Sequence, residues 1–296
     1  MKTQETWNGE SRTMRLNFES WFDFVEFGKN RKAQSTILES RNDGPGKKDW
    51  TGTYNFDEAV NLAENGWPDG SEKINALTNL FLNKITTLIE RPQVEYDVTG
   101  NDFDVALVNE GVPECWLKIT NEEVQAGNGT KVLRLVYNMS TSAGVTTDVM
   151  MSKGATVCAL LEALEYAGFR VQLELFEATT YGSYLDNGKH HMYMHIPVKE
   201  ANQPVDRDKI AFAIAHPSTL RRLVFAADES DKHFMDKAGH SYGTPCEAPT
   251  EDQGDIYIGK SLLGEPQWES TKEAVAWVLK QLQAQNVQLT SDKVPA

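Results

Sequence analysis

The chain has 296 residues, of which 40% are hydrophobic, so it can bury a sizeable core in one large domain or two modest ones. Its formal net charge of −14 argues against nonspecific binding to nucleic-acid phosphates, which needs clustered Lys and Arg. Three cysteines without metal-like spacing, no apolar leader and no long apolar run predict a protein of a reducing cytoplasm that neither binds zinc through cysteine nor enters a membrane.

The N-terminal part, residues 1–126, is predicted to be a mostly helical region. Aromatic residues at helical spacing over residues 18–27 predict a short helix that docks by its apolar face. Asn55 stands three residues before Glu58, a pattern typical of a helix N-terminus. Apolar residues at spacings of three and four over residues 74–88 predict a longer amphipathic helix.

From residue 127 to residue 296, strand and helix patterns alternate. Strands are predicted at residues 132–137, 169–176, 192–198 and 255–258. Helices are predicted at residues 155–167, 206–214 and 270–282, while residues 220–227 fit either a strand or a helix. This alternation predicts an α/β domain, an open sheet with helices on its faces, preceded by the mostly helical region.

Polar residues follow these predicted strands in a recognisable order. The strand at 132–137 runs into Asn138, Ser140 and Ser142, the strand at 169–176 leads to Thr179 or Thr180, and residues 220–227 lead to Asp228. The stretch resembles a von Willebrand factor A domain, of the kind found in cobalt-chelatase subunits that work beside AAA+ ATPases. In that family, Asp-x-Ser-x-Ser after one strand, a Thr after the next and an Asp after a later strand hold a divalent cation at the carboxyl edge of the sheet.

The resemblance implies a metal site formed by Asn138, Ser140, Ser142, Thr179 and Asp228, with Mg²⁺ or Mn²⁺ as the cation. The hydroxyls would bind it directly, and Asn138 and Asp228 through water. Asn138 stands where the family has Asp, which removes a charge that hard cations favour. The resemblance therefore implies a degenerate site in a noncatalytic protein-interaction module, completed by a carboxylate of a partner such as a AAA+ ATPase or another viral or host protein. Alternatively, Ser140 and Ser142 merely shape a strand-to-helix turn.

Most of the chain also resembles an uncharacterised group of bacteriophage proteins. The segments that carry this resemblance are residues 50–53, 59–70, 104–105 with 111–115, and 216–222. The resemblance implies a viral protein made in the cytoplasm of a bacterial host, and it implies no particular activity.

Residues 254–261 match the sequence motif of a phosphate-binding P-loop, which is Gly followed by any four residues and then by Gly-Lys-Ser. That loop requires an apolar strand before its first Gly and a helix after its Ser, because backbone amides at the helix N-terminus bind the phosphate. Here the apolar residues fall inside the motif, so no nucleotide is expected.

Two alternative functions remain open from the sequence. A metal-dependent hydrolase would use the histidines between residues 190 and 240 together with nearby Asp residues, and it requires His191, His195 and an Asp to converge. On a strand, His191 and His195 would share a face about 13 Å apart at ~3.3 Å per residue. A single-stranded nucleic-acid-binding transcription cofactor is the other alternative, although no focused basic groove is visible.

Overall fold

A computed structural model describes residues 1–30, 32, 48–85, 94–100, 102–119, 131–182, 190–238, 241–265, 268 and 270–287. The strands among these residues are β1 Lys2–Asn8, β2 Ser11–Asn17, β3 Val94–Asp97, β4 Asp102–Phe103, β5 Trp116–Ile119, β6 Val132–Asn138, β7 Arg170–Tyr181, β8 His190–Lys199, β9 Thr244–Pro245 and β10 Ile256–Ile258. Seven form one mixed sheet in the order β1-β2-β8-β7-β6-β10, with β9 also paired to β7. A separate sheet has the order β3-β5-β4.

The strand directions in the large sheet determine where its polar ends meet. Both β7 and β10 pair parallel to β6, whereas β8 pairs antiparallel to β7 and β2 pairs parallel to β8. The carboxyl ends of β6, β7 and β10 therefore lie at the same edge of the sheet. Open α/β sheets commonly bind their ligands at this edge.

Helices surround the large sheet. Those in the described ranges are α1 Trp21–Asn30, α2 Lys48–Thr51, α3 Phe56–Asn65, α4 Pro68–Ile85, α5 Val105–Asn109, α6 Thr147–Tyr166, α7 Arg207–Ala215, α8 Phe225–Asp228, α9 Lys232–Ala238 and α10 Thr271–Ala284. A π-helix, Thr219–Val224, leads directly into α8. A 3₁₀-helix spans Thr250–Asp252.

The main core lies between one face of the large sheet and the helices. In β7, Val171, Leu173 and Leu175 point to this core, as the two-residue period of a strand requires. Each such buried side chain stabilises the fold by about 1.5–3 kcal/mol. Helix α6, which links β6 to β7, is buried over much of its surface and packs against α4, α7 and α10. On the opposite face of the sheet, Ala248 belongs to a small cluster with Phe176.

Gly154 is the point of closest approach between α6 and α7. A β-carbon added to Gly154 would lie 2.4 Å from the Ala215 Cβ and 3.0 Å from the Ala215 Cα. We expect Gly154→Val to lower the free energy of unfolding by about 2 kcal/mol, because the two helices must separate. Urea denaturation tests this, with Ser152→Ala on the same helix as a control that changes stability little. Equal stability of Gly154→Val and the unsubstituted protein would contradict the expected crowding.

The predicted fold class is confirmed: the structure is α/β, with helices packed on an open mixed sheet and an N-terminal region that contains helices. The N-terminal region also contains strands that the sequence analysis did not predict. Residues 2–17 form β1 and β2, which extend the large sheet, and residues 94–119 contain the small sheet. The boundary between residues 126 and 127 lies outside the described residues and stays a prediction, although the main core includes side chains from both parts.

Several predicted helix starts are confirmed by their hydrogen bonds. The Glu58 N–H donates to Asn55 Oδ1 (2.7 Å), and the Lys209 N–H donates to Asp206 Oδ1 (3.2 Å). At α10, Ser270 occupies the capping position, but its side chain makes no capping hydrogen bond within the described residues. None of the described helices combines the length and the apolar character that crossing a membrane requires.

Candidate functional site

A cleft of about 280 Å³ lies at the carboxyl edge of the large sheet, where β6 and β7 end beside the π-helix. Its sheet side is formed by Ser140, Glu177 and Thr179. A larger depression of about 450 Å³ lies at the opposite end of β7, near Trp21 and Lys209. Among the described residues, that depression contains no buried polar atom without a partner, whereas the cleft does. The cleft is therefore the candidate site.

Asn138, the last residue of β6, is fully buried and connects three segments through its amide. Its Oδ1 accepts a hydrogen bond from the Ser140 N–H (3.0 Å). Its Nδ2 donates to the Cys246 carbonyl oxygen (3.0 Å) and to the Tyr257 hydroxyl oxygen (2.8 Å). That hydroxyl in turn donates to Glu247 Oε2 (2.8 Å). Asn138 therefore needs both its acceptor and its donor, and a carboxylate would supply only acceptors.

Ser140 and Thr179 bring two hydroxyls to the Glu177 carboxyl. The Thr179 hydroxyl donates to Glu177 Oε1, and the Ser140 Oγ accepts from the Ala178 N–H (2.8 Å). Glu177 lies on β7, two residues beyond Leu175, and its side chain points to the same face as that core residue. The alternation of β7 thus places an acidic side chain where an apolar one would be expected.

Glu177 and Asp228 form a buried pair of carboxyl groups. Their side chains are 1% exposed. Burial raises the pKa of Glu177 well above its usual range, the nearby Asp228 carboxyl raises it further, and the Ser140 hydroxyl opposes this shift. Burial likewise raises the pKa of Asp228, as does Glu229, while the Tyr181 hydroxyl favours the charged form. Two adjacent buried carboxyl groups cannot both ionise without a compensating positive charge.

Three oxygens of this pair lack hydrogen-bond partners. Within the described part of the chain, neither Asp228 oxygen nor Glu177 Oε2 has a partner at hydrogen-bond geometry. The Tyr181 hydroxyl lies close enough to Asp228 to lower the pKa of that carboxyl through a hydrogen-bonding interaction, but the contact falls outside regular hydrogen-bond geometry. Because buried acceptors without partners are rare in folded proteins, these oxygens make the cleft a candidate site for a ligand that interacts with carboxyl oxygens, such as a cation.

The outer wall of the cleft is aromatic and carries one positive charge. Trp50, Phe225 and Tyr242 line it, and the Phe225 and Tyr242 rings stack. Arg221 donates to the carbonyl oxygens of Trp50 (2.6 Å) and Val145 (3.1 Å), and its guanidinium lies over the Trp50 ring. Burial lowers the pKa of Arg221 to about 10, so the guanidinium stays charged at neutral pH.

The structure brings together some of the predicted metal-site residues. Ser140 and Thr179 line the cleft, and Asp228 lies within electrostatic reach of Glu177. Ser142 is not among the residues that line the cleft, and its N–H donates to the Ser261 carbonyl oxygen (3.0 Å). Asn138 lies below the cleft and is engaged by Cys246 and Tyr257.

Two secondary-structure predictions at the site need correction. Strand β7 continues to Tyr181 instead of ending at residue 176, so Thr179 lies within the strand and not after it. Residues 220–227, which fitted either a strand or a helix, are helical, so Asp228 is the last residue of α8 and does not follow a strand as the family resemblance implies. The strand on the other side of β6 is β10, which ends at Ile258.

The histidines of β8 do not form the metal centre that the hydrolase alternative requires. His191 stacks on Tyr193, whereas His195 packs edge-on against Phe176 and lies 3.3 Å from an Asp252 oxygen. No group of three His, Cys, Asp or Glu side chains suited to a metal ion occurs among the described residues. The convergence of His191, His195 and an Asp is therefore not observed in the described structure.

The segment that matches the P-loop sequence pattern also lacks the structure that phosphate binding needs. Strand β10 lies inside the motif, as predicted, and Ser261 forms a bridge with Thr141 instead of starting a helix. Ser261 also accepts a hydrogen bond at Oγ from the buried Lys153 Nζ (2.7 Å). Burial lowers the pKa of Lys153 to about 7. This segment thus anchors α6 to the sheet edge.

Glu177 is the site residue that the sequence analysis missed. The sequence pattern could have indicated Glu177, because Val171, Leu173 and Leu175 define the core face of β7 and Glu177 continues their two-residue alternation. Trp50 and Arg221 could not be assigned to the cleft in this way, because only the packing of α2 against the π-helix brings them there.

The residues at the cleft fit a small divalent cation in donor type. Carboxylate and hydroxyl oxygens are the ligands that Mg²⁺ and Mn²⁺ prefer. Glu177, Ser140 and Thr179 supply such oxygens, and Asp228 adds negative charge from behind. Because Glu177 is the one carboxylate among the described residues that line the cleft, a bound cation would keep open positions for water or for a ligand oxygen.

Comparison with known proteins gives one match. A family model described as a domain of unknown function (DUF7192) matches residues 2–288. No curated protein and no solved structure matches the chain. The match covers the large sheet, its helices and the cleft.

Proposed function

We propose a noncatalytic binding function for this chain, which belongs to the DUF7192 family. In this proposal the cleft binds Mg²⁺ or Mn²⁺, and the cation docks an acidic group of a protein partner. The observation that carries the proposal is the buried pair of Glu177 and Asp228, three of whose oxygens have no hydrogen-bond partner of regular geometry in the described structure. A divalent cation supplies positive charge and allows both carboxyl groups to ionise.

The roles of the residues follow from their positions. Glu177 lines the cleft and would be the charged ligand. The hydroxyls of Ser140 and Thr179 now stabilise Glu177 and would turn toward the cation as neutral ligands. Asp228 would not bind the cation directly but would stabilise it through its negative charge. Asn138 would hold the Ser140 backbone in place and would not bind the cation directly.

The charge of the cleft favours an acidic partner group once the cation is bound. Arg221 places a guanidinium in the wall, and the cation adds a second positive centre. The aromatic wall formed by Trp50, Phe225 and Tyr242 would bury the carbon chain of such a group. Without the cation, the cleft lacks this second positive centre. Binding of the partner is therefore expected to require the cation.

The arrangement of strands supports the proposed likeness to the von Willebrand A family. Strand β6 ends in a polar cluster, α6 follows, and β7 returns parallel to β6 with Thr179 near the same edge. We extend the proposal accordingly to a partner such as a AAA+ ATPase or another viral or host protein, in the cytoplasm of a bacterial host. Affinity purification with Mn²⁺ present, or with chelator, would identify that partner.

Calorimetric titration of the whole chain with Mn²⁺ and with Mg²⁺ tests the cation site. We expect saturable binding of one ion per chain, lost in Glu177→Gln and in Asp228→Asn. The control is Glu200→Gln, because Glu200 is an exposed carboxylate at the far end of the sheet. Absence of binding by the unsubstituted chain, alone and with an acidic partner peptide, would refute the proposed site, as would equal binding by the Glu177→Gln variant.

A further inference from the structure

The small sheet forms a distinct surface, called here the outer sheet and defined as β3, β4, α5 and β5. It is ordered mainly by local polar contacts. The Asp104 carboxylate caps α5 by accepting from the Ala106 N–H (2.9 Å), and it also accepts from the Tyr96 hydroxyl (3.1 Å). Lys118 pairs with Asp97 across β3 and β5 (2.9 Å). Among the described residues, no side chain of the outer sheet belongs to either apolar cluster of the large sheet.

Large apolar side chains of the outer sheet and its turns face solvent instead. Six are exposed, from 37% for Trp116 to 61% for Val105, and the others are Tyr96, Val98, Phe103 and Val108. Helix α5 has no buried residue in the described structure. Among the described residues, only the edge-on contact of Phe103 with Trp116 pairs two of these rings. A small sheet normally needs an apolar face packed against another element, and concentrated exposed apolar side chains mark interaction surfaces.

The charge of the same segment identifies the kind of partner. Residues 94–119 contain six acidic side chains and one basic side chain, Lys118; the acidic ones are Glu95, Asp97, Asp102, Asp104, Glu110 and Glu114. Asp97 is neutralised by Lys118, whereas Glu110 and Glu114 are exposed. A second copy of this acidic chain would place carboxylates against carboxylates. Opposite charge is what an acidic apolar surface selects in a partner.

We infer that the outer sheet is a docking surface for a basic protein segment that carries apolar side chains. The apolar side chains of that segment cover Val98, Val105 and Trp116, and its Lys or Arg residues pair with the acidic rim. Apolar burial provides the affinity, and the charges provide selectivity and salt dependence. The interaction is independent of the cleft and of any cation, so it stands or fails separately from the proposed function.

Fluorescence anisotropy with two short labelled peptides tests this inference, on the whole chain and with chelator present. One peptide alternates Lys and Leu, and the other alternates Glu and Leu. We expect the Lys–Leu peptide to bind about tenfold more tightly than the Glu–Leu peptide. Val98→Ser combined with Val105→Ser should weaken Lys–Leu binding about tenfold. The matched control combines Phe22→Ser with Leu263→Ser, two exposed apolar side chains outside the outer sheet, and should leave binding unchanged.

A second variant separates loss of contact from loss of fold. Glu110→Lys combined with Glu114→Lys changes only exposed positions and should also weaken binding of the Lys–Leu peptide. Equal binding by the unsubstituted chain and both outer-sheet variants would overturn the inference. Sedimentation showing a dimer that Val98→Ser with Val105→Ser dissociates would also overturn it, because the occupant would then be a second copy.

Discussion

Replacing Asn138 by Asp is expected to lower the free energy of unfolding by about 3 kcal/mol at neutral pH. The Asn138 Nδ2 group donates to the Cys246 carbonyl oxygen and to the Tyr257 hydroxyl oxygen at a fully buried position. A carboxylate there would face the Cys246 oxygen without a proton to share, and its own charge would be buried. An Asp would therefore not restore a stronger cation site but would weaken the edge of the sheet that supports Ser140.

Guanidinium denaturation of the two proteins measures this effect. Asn61→Asp provides the control, because Asn61 is an exposed residue of α3 and should tolerate the new charge with little change. An unchanged or higher stability of Asn138→Asp, together with tighter Mn²⁺ binding, would show instead that Asn138 is a cation ligand.

Replacing Asp228 by Asn is expected to have opposite effects on stability and on binding. Without a cation, the substitution should raise the free energy of unfolding by about 1–2 kcal/mol at pH 8, because it removes a buried group that must otherwise ionise or retain a proton. The same substitution should abolish Mn²⁺ binding. A residue that lowers the stability of the free protein yet enables binding is typical of a functional site.

The pH dependence of this effect has a definite sign. Burial raises the pKa values of Glu177 and Asp228 in the folded protein above those of the unfolded chain. Between these values the folded protein binds more protons than the unfolded chain, so stability falls as pH rises. The stabilising effect of Asp228→Asn should therefore grow from pH 5 toward pH 8. Asp236→Asn, at an exposed position paired with Lys232, serves as the control. A constant difference across this range would contradict the raised pKa of Asp228.

The sequence predicted the architecture through patterns that tertiary packing does not override. The two-residue alternation of Val171, Leu173 and Leu175 marked β7, and Asn55 and Asp206 marked the starts of α3 and α7. Strands β1 and β2 were missed because β1 is exposed along its whole length and has no apolar alternation. Only its pairing with β2, which itself pairs with β8, makes it part of the large sheet.

The site was predicted in part. The positions of its strand residues follow from the local sequence pattern, whereas the positions of its helix and loop residues depend on tertiary packing. Ser140 follows β6, Thr179 lies two residues before the end of the neighbouring parallel strand β7, and both line the cleft. Asp228 reaches Glu177 because a π-helix and α8 cross the edge of the sheet, which the apolar run before Asp228 could not distinguish from a strand. The donor role of the Asn138 amide depends on Cys246, more than one hundred residues away.

Crystallisation with Mn²⁺, with diffraction data collected at the manganese absorption edge, tests the central claim most directly. We expect an anomalous peak in the cleft, bonded to a Glu177 oxygen at about 2.0–2.2 Å and flanked by the Ser140 and Thr179 hydroxyls, without a direct bond to Asp228. An empty cleft at saturating Mn²⁺, with a Glu177 oxygen and an Asp228 oxygen within hydrogen-bond distance of each other, would contradict the proposed cation site.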